Sequence, residues 1–152
     1  MPAPQVDFYV LAGSDPGQRL RFACRLVEKA WLKRHRVRVQ FDVGGELEAF
    51  DQLLWTFSDR SFVPHRRTGT PDDAPPPARP HVVIADGAEA DGADGDVLVN
   101  LSSAAPADIG AWSRIAEIVD ADSGRRSLGR ERYRAYRERG LEPATHEMGN
   151  ET

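Results

Sequence analysis

Apolar residues along this chain follow two spacings, and the two alternate. The first signal is a compact apolar run at 6–11 with β-branched and aromatic residues, which predicts a strand. A loop follows in which Asp15 suits a helix N-cap and Pro16 suits the first helical position. Beyond it, apolar residues recur at helical spacing and predict a first helix, namely Leu20, Ala23, Cys24, Val27 and Ala30.

The same alternation continues to the end of the chain. Apolar residues at every second position predict another strand at 37–41, and helical spacing returns at 47–57. Because strands and helices alternate, we expect one α/β domain with a mostly parallel sheet and helices on both faces. The remaining predicted elements are strands at 82–85, 97–101 and 118–119, a short helix at 108–112, and a closing helix at 127–139.

Three segments lack these patterns. Residues 66–80 hold five of the eleven prolines and predict a long Pro-rich surface loop. Residues 86–96 are rich in glycine, alanine and aspartate and predict an acidic loop. We therefore assign the domain to residues 1–140 and expect a flexible C-terminal tail at 141–152.

Charge and cysteine content limit the possible classes. The formal net charge is -4, which argues against a protein that coats nucleic acid with its whole surface. The single cysteine, Cys24, rules out an internal disulfide and favours a reducing compartment. No signal peptide is recognisable, and no apolar stretch approaches the roughly 20 residues that span a bilayer. We expect a cytoplasmic protein without membrane contact.

No set of residues predicts catalysis. The first strand-to-helix turn, 12–18, matches neither phosphate-binding glycine pattern, and Asp15 would repel a phosphate there. The acidic loop does not match the ligand spacing of a calcium site. The histidines at 35, 65, 81 and 146 lack metal-ligand spacing, so we expect no metal and no cofactor. The alternative is an enzyme with an unrecognised nucleotide or cofactor site.

Aromatic residues cluster around the end of the second predicted helix. Trp55 falls off the apolar stripe predicted for that helix, and we expect Phe62 to lie in a short extended piece before a proline. Both residues suit the rim of a core, and both equally suit a protein-docking patch, because exposed aromatic residues act as interface anchors.

The closing helix is basic although the chain is acidic. One face carries five residues, namely Arg126, Arg130, Tyr133, Arg134 and Arg137, and the positions left to pack on the sheet are Leu128, Ala135 and Tyr136. A guanidinium grips a carboxylate in bidentate fashion, and a tyrosine ring gives an apolar wall. The pattern therefore suits the free C-terminus of an acidic peptide, nucleic acid phosphates, or simply a solvated charged face.

Three sequence motifs together resemble one family. They are LWTFSDRSFVPH at 54–65, DVLVNL at 96–101 and RERYRAYR at 130–137. In this combination the chain resembles the chi subunit family of bacterial DNA polymerase III. The resemblance covers most of the chain, from the first strand to the closing helix.

The resemblance implies a Rossmann-like α/β fold without a working nucleotide site, and a non-enzymatic role. Members of that family link the clamp loader to single-stranded DNA-binding protein by holding its acidic C-terminal tail, and so associate indirectly with single-stranded DNA. By the same resemblance, Arg130, Tyr133 and Arg134 are expected to bind the tail. Trp55 and Phe62 are expected to contact the psi subunit, or a helicase that competes with psi.

Overall fold

The computed structural model describes residues 4–58, 63–67, 82–86 and 96–148. Over these residues the chain forms seven strands and three α-helices. The strands are β1 (Gln5–Leu11), β2 (Val37–Phe41), β3 (His65–Arg67), β4 (Val82–Asp86), β5 (Val97–Asn100), β6 (Arg114–Val119) and β7 (Ala144–Met148). The helices are α1 (Pro16–Leu32), α2 (Leu47–Thr56) and α3 (Ser123–Glu138).

The strands form one sheet in the order β3-β4-β2-β5-β6-β1-β7. Every neighbouring pair is parallel. A parallel pair needs a crossover connection, and α1, α2 and α3 lie in the connections that follow β1, β2 and β6. The predicted α/β class, with a mostly parallel Rossmann-like sheet, is confirmed.

The helices lie on both faces of the sheet, as expected. On one face α1 and α2 bury apolar side chains such as Val27 and Phe50 in the larger core. On the other face α3 packs over a smaller core that contains Phe8, Ile115 and Tyr136. Successive strand residues point to opposite faces, so β1, β5 and β6 contribute to both cores.

Side-chain caps define where two helices begin. The Asp15 carboxylate accepts a hydrogen bond from the Gly17 amide at 2.9 Å, which confirms the predicted cap of α1. Asp122 accepts from the Arg125 amide at 2.9 Å and caps α3. The closing helix therefore begins four residues before the predicted start at 127, because Asp122 satisfies its first free backbone donors.

The expectation of a flexible tail at 141–152 is wrong over 144–148. These residues form β7, which pairs with β1 from Asp7–Ala144 to Leu11–Met148. The side chain of His146 adds a hydrogen bond to Asp7 at 2.9 Å. Since most side chains of β7 are exposed, the strand carries no apolar pattern, and its formation depends on backbone pairing with a distant segment.

The predicted loops and the short helix need smaller corrections. Arg66 and Arg67 belong to β3 rather than to the Pro-rich loop, because they pair with β4. The remainder of that loop, 68–80, lies outside the described residues, as do 87–95 of the acidic loop, His81, and the chain ends 1–3 and 149–152. The short helix expected at 108–112 is one 3-10 turn, Ile109–Ala111.

Candidate functional site

Helix α3 turns an unexpected set of residues towards the sheet. Gly129, Arg132 and Tyr136 are its buried residues. A Cβ at position 129 would lie 2.8 Å from Cγ2 of Val119, so the helix backbone sits directly on β6. Tyr136 packs as predicted, but Leu128 does not, since its exposed fraction is 39%.

The buried side of α3 is held by a polar cluster around Glu117 of β6. The Nε of Arg132 donates to Glu117 Oε1 at 2.7 Å, and the Tyr136 hydroxyl donates to Oε2 at 2.5 Å. Asn100 donates to the same Oε2 at 2.8 Å. Burial raises the pKa of Glu117, opposed by Arg132 and these two donors. Burial also raises the pKa of Tyr136, so its hydroxyl keeps its proton and acts as a donor.

The arginines of α3 divide into engaged and unengaged groups. Arg125 pairs with Asp120 at 2.7 Å, and Arg139, just past the helix, donates to the carbonyl of Pro106. Four arginines of α3 have guanidinium groups that make no ion pair or hydrogen bond with the described residues, namely Arg126, Arg130, Arg134 and Arg137. All four belong to the face predicted from the sequence, and Arg126 is half-buried while the others are exposed.

Tyr133 lies beside these arginines at the edge of the smaller core. Its half-buried ring meets the ring of Phe8 edge-on, with centroids 5.3 Å apart. Val10 is two residues beyond Phe8 on β1, so strand alternation turns it to the same face, where it is half-buried. The rings of Phe8 and Tyr133 therefore form an apolar floor beside the basic face of α3.

The second predicted site is at the C-terminal end of α2. The exposed fraction of Trp55 is 40%, and its ring lies over that of His65 with centroids 4.1 Å apart. Phe62 lies outside the described residues, so its expected proximity to Trp55 stays a prediction. The structure does not join Trp55 to the basic face, because α2 and α3 pack on opposite faces of the sheet.

The carboxyl ends of the strands frame a cleft of about 190 Å³, where doubly wound folds bind nucleotides. Arg19 lines it, and burial lowers the pKa of that guanidinium, opposed by Glu46 at 2.6 Å. Asp42 holds the amide and hydroxyl of Ser103. The polar groups of the cleft are thus largely used by one another, and Asp15 occupies the N-terminus of α1.

Two further observations concern metals and membranes. Across the described ranges, no three histidine, cysteine or acidic side chains are grouped so that they could hold a metal ion. None of the helices in those ranges is long and apolar enough to cross a membrane.

A family model decides the relationship of the chain to known proteins. The model described as DNA polymerase III chi subunit, HolC, matches residues 3–144. The chain belongs to the DNA polymerase III chi subunit family. The resemblance inferred from the three motifs is thereby confirmed, and membership gives the chain an accessory role in DNA replication.

Individual relatives agree with this assignment. The chain is 35% identical to DNA polymerase III subunit chi of Pseudomonas aeruginosa over 144 residues, which is 95% of this chain and 96% of the relative. It is 24% identical to the Haemophilus influenzae subunit over 97% of this chain and 99% of that protein. The Escherichia coli subunit is 27% identical over 80% of both chains.

Reasoning from the sequence missed the roles of Arg132 and Glu117. Arg132 lies in a run of arginines and has no local feature that separates it from its exposed neighbours. Its inward position follows from being three residues after Gly129 and four before Tyr136, on one helical stripe. Glu117 gives the one signal, because an acidic residue between the apolar residues Ala116 and Ile118 must face a buried partner such as a cation.

Proposed function

We propose that the chain is a non-catalytic adaptor of the polymerase III clamp loader. In this role it binds the acidic C-terminal tail of single-stranded DNA-binding protein in the cytoplasm and so associates indirectly with single-stranded DNA. One observation carries the proposal: the unengaged arginines of α3 lie beside a half-buried tyrosine on an otherwise acidic protein.

Each part of the tail has a chemical match on this face. Arg130 pairs with the terminal carboxylate, which a guanidinium holds through two parallel hydrogen bonds. Tyr133, backed by Phe8, lines the place for the last aromatic ring. Arg134 attracts the acidic residues upstream of the terminus. Binding costs little reorganisation in the protein, because no internal ion pair of these two arginines has to break.

A titration with a fluorescent acidic peptide that ends in a free phenylalanine tests this assignment. Arg130→Ala should weaken binding by about 2 kcal/mol or more, roughly 30-fold, since the terminal carboxylate loses its partner in a partly desolvated site. Amidation of the peptide C-terminus should cause a similar loss in the wild-type protein and little further loss in Arg130→Ala.

The matched control is Arg25→Ala, which removes an exposed arginine from α1 on the opposite face of the sheet. It should leave affinity nearly unchanged. Equal weakening by the two substitutions would mean that the peptide responds only to overall charge, and the assignment to α3 would be wrong.

We also propose that Trp55 and Phe62 dock the psi subunit or a helicase that competes with it. The exposure of Trp55 supports this, since a large aromatic side chain at a surface provides an interface anchor. Co-purification of psi with wild-type and Trp55→Ala protein is the direct test. Retention of psi by Trp55→Ala at wild-type affinity would contradict the docking role.

A further inference from the structure

A buried histidine lies directly beneath Trp55. His65 is the first residue of β3, and only 1% of its side chain is exposed. Its Nε2 lies 2.7 Å from Asp51 Oδ1, and its Nδ1 lies 2.8 Å from the carbonyl oxygen of Val63. The ring is therefore held on both sides, by the Asp51 side chain of α2 and by the Val63 carbonyl just before β3.

Both of these partners are acceptors. The carbonyl of Val63 has no proton to give, so Nδ1 must carry one. Asp51 also receives Arg67, whose Nε donates to Oδ2 at 2.9 Å, and Arg67 in turn pairs with Glu48. Asp51 accepts from the Arg67 guanidinium through Oδ2, and the same carboxylate accepts from Nε2 of His65 through Oδ1. A ring that satisfies both contacts carries a proton on each nitrogen and a positive charge.

The ring of His65 also touches an aromatic face. The centroids of Trp55 and His65 are 4.1 Å apart, well inside the range of cation–π attraction. Asp51 and Trp55 are four residues apart on α2, so one helical face supplies both the carboxylate below the ring and the indole beside it. The indole is thus held from beneath while 40% of its surface remains exposed.

We propose that His65, as a doubly protonated ring clamped by Asp51 and Val63, is the positioning residue that presents Trp55 at the surface. The charged groups that face the ring are Asp51 from α2, and Arg67 from β3 together with its partner Glu48. The consequence for partner docking rests on the proposed role of Trp55. The positioning itself does not.

Nitrogen NMR of the isolated full chain tests the charge. At neutral pH both ring nitrogens of His65 should show bound protons that exchange slowly, because the ring is closed to solvent. A ring with one protonated nitrogen under these conditions would overturn the proposal.

The positioning role is tested by relaxation of the indole N–H groups. In His65→Gln the Trp55 indole should become mobile, with an order parameter falling to about 0.6 or below. The indole of Trp112, which belongs to the smaller core on the opposite face, should stay rigid and report that the fold is intact. A Trp55 indole that stays as rigid as in the wild type would refute the role of His65. Should His65→Gln fail to fold, the ring-protonation measurement on the wild type decides alone.

Affinity for purified psi subunit separates this proposal from the docking proposal. If Trp55 docks psi, His65→Gln should weaken binding roughly two- to tenfold, and Trp55→Ala should weaken it more. A loss in Trp55→Ala with none in His65→Gln would contradict the positioning role. No loss in Trp55→Ala would contradict docking, and the relaxation data would then decide on His65.

Discussion

Arg132 and Glu117 form an ion pair between α3 and β6 that is closed to solvent. The guanidinium Nε lies 2.7 Å from the carboxylate, and the exposed fractions of the two side chains are 7% and 0%. Asn100 and Tyr136 also donate hydrogen bonds to the carboxylate, and Arg132 donates to the carbonyl of Ser103. Because the pair joins the helix to the sheet beneath it, it fixes which face of α3 is left for solvent.

Arg132→Leu should therefore destabilise the protein strongly. Removing the cation leaves Glu117 buried without its charge partner, which typically costs about 3–5 kcal/mol. Urea unfolding followed by circular dichroism measures the loss. The control is Arg134→Leu, which removes the same charge from an exposed position on the same helix and should change stability by no more than about 0.5 kcal/mol.

The penalty in Arg132→Leu should depend on pH. Burial raises the pKa of Glu117, and loss of Arg132 removes an interaction that opposes this rise. At pH values between the unfolded pKa of Glu117, 4.5, and its higher folded pKa, the native state binds more protons than the unfolded state. The free energy of unfolding then falls as pH increases. The loss in Arg132→Leu relative to wild type should therefore be smaller at about pH 5 than at pH 7. A deficit that is constant over this range would argue against a buried unpaired carboxylate.

The close approach at Gly129 predicts a second effect. In Gly129→Ala the new methyl group meets Val119 at 2.8 Å, and relieving this contact should cost about 1–3 kcal/mol, partly offset by better helix propensity. Val119→Ala removes the colliding methyl groups. A double-mutant cycle in thermal unfolding should show favourable coupling between the two substitutions. If the losses of stability in the two single variants simply add, the contact with Val119 is not the source of the strain in Gly129→Ala.

Cys24 should be unreactive in the native protein. It is completely buried in the larger core, and burial raises the pKa of its thiol to about 12. At neutral pH almost no thiolate forms, and a reagent cannot reach the sulfur. A chromogenic thiol reagent should label the protein only after denaturant is added. Rapid labelling under native conditions would contradict the packing of α1 on the sheet.

Removal of the last strand should weaken the sheet edge. Truncation after Pro143 deletes β7, which leaves the outer backbone groups of β1 unpaired and takes the His146 imidazole away from Asp7. We expect a lower melting temperature than in His146→Ala, which keeps the backbone pairing. An unchanged melting temperature in the truncated chain would show that β7 adds no stability.

The sequence alone is enough to predict the class of fold, most of the elements and the family. These predictions rest on local signals, namely the apolar spacing of α1 and α2, the Asp15-Pro16 cap, and family motifs that are short contiguous sequences. It also determined the basic face of α3, because helical periodicity alone brings Arg130 and Arg134 to the same side as Tyr133.

The sequence does not predict which arginines of α3 are free, because that depends on partners distant in sequence that the folded chain brings near. Arg132 is taken by Glu117 of β6, and Arg125 by Asp120, which leaves Arg130 and Arg134 without an internal partner in the described part of the chain. The same holds for β7, whose exposed side chains carry no pattern and whose order comes from hydrogen bonding to β1 at the other end of the chain. Spacing along the chain determines the helix face on which a residue lies. Packing between distant segments determines which residues contact that face.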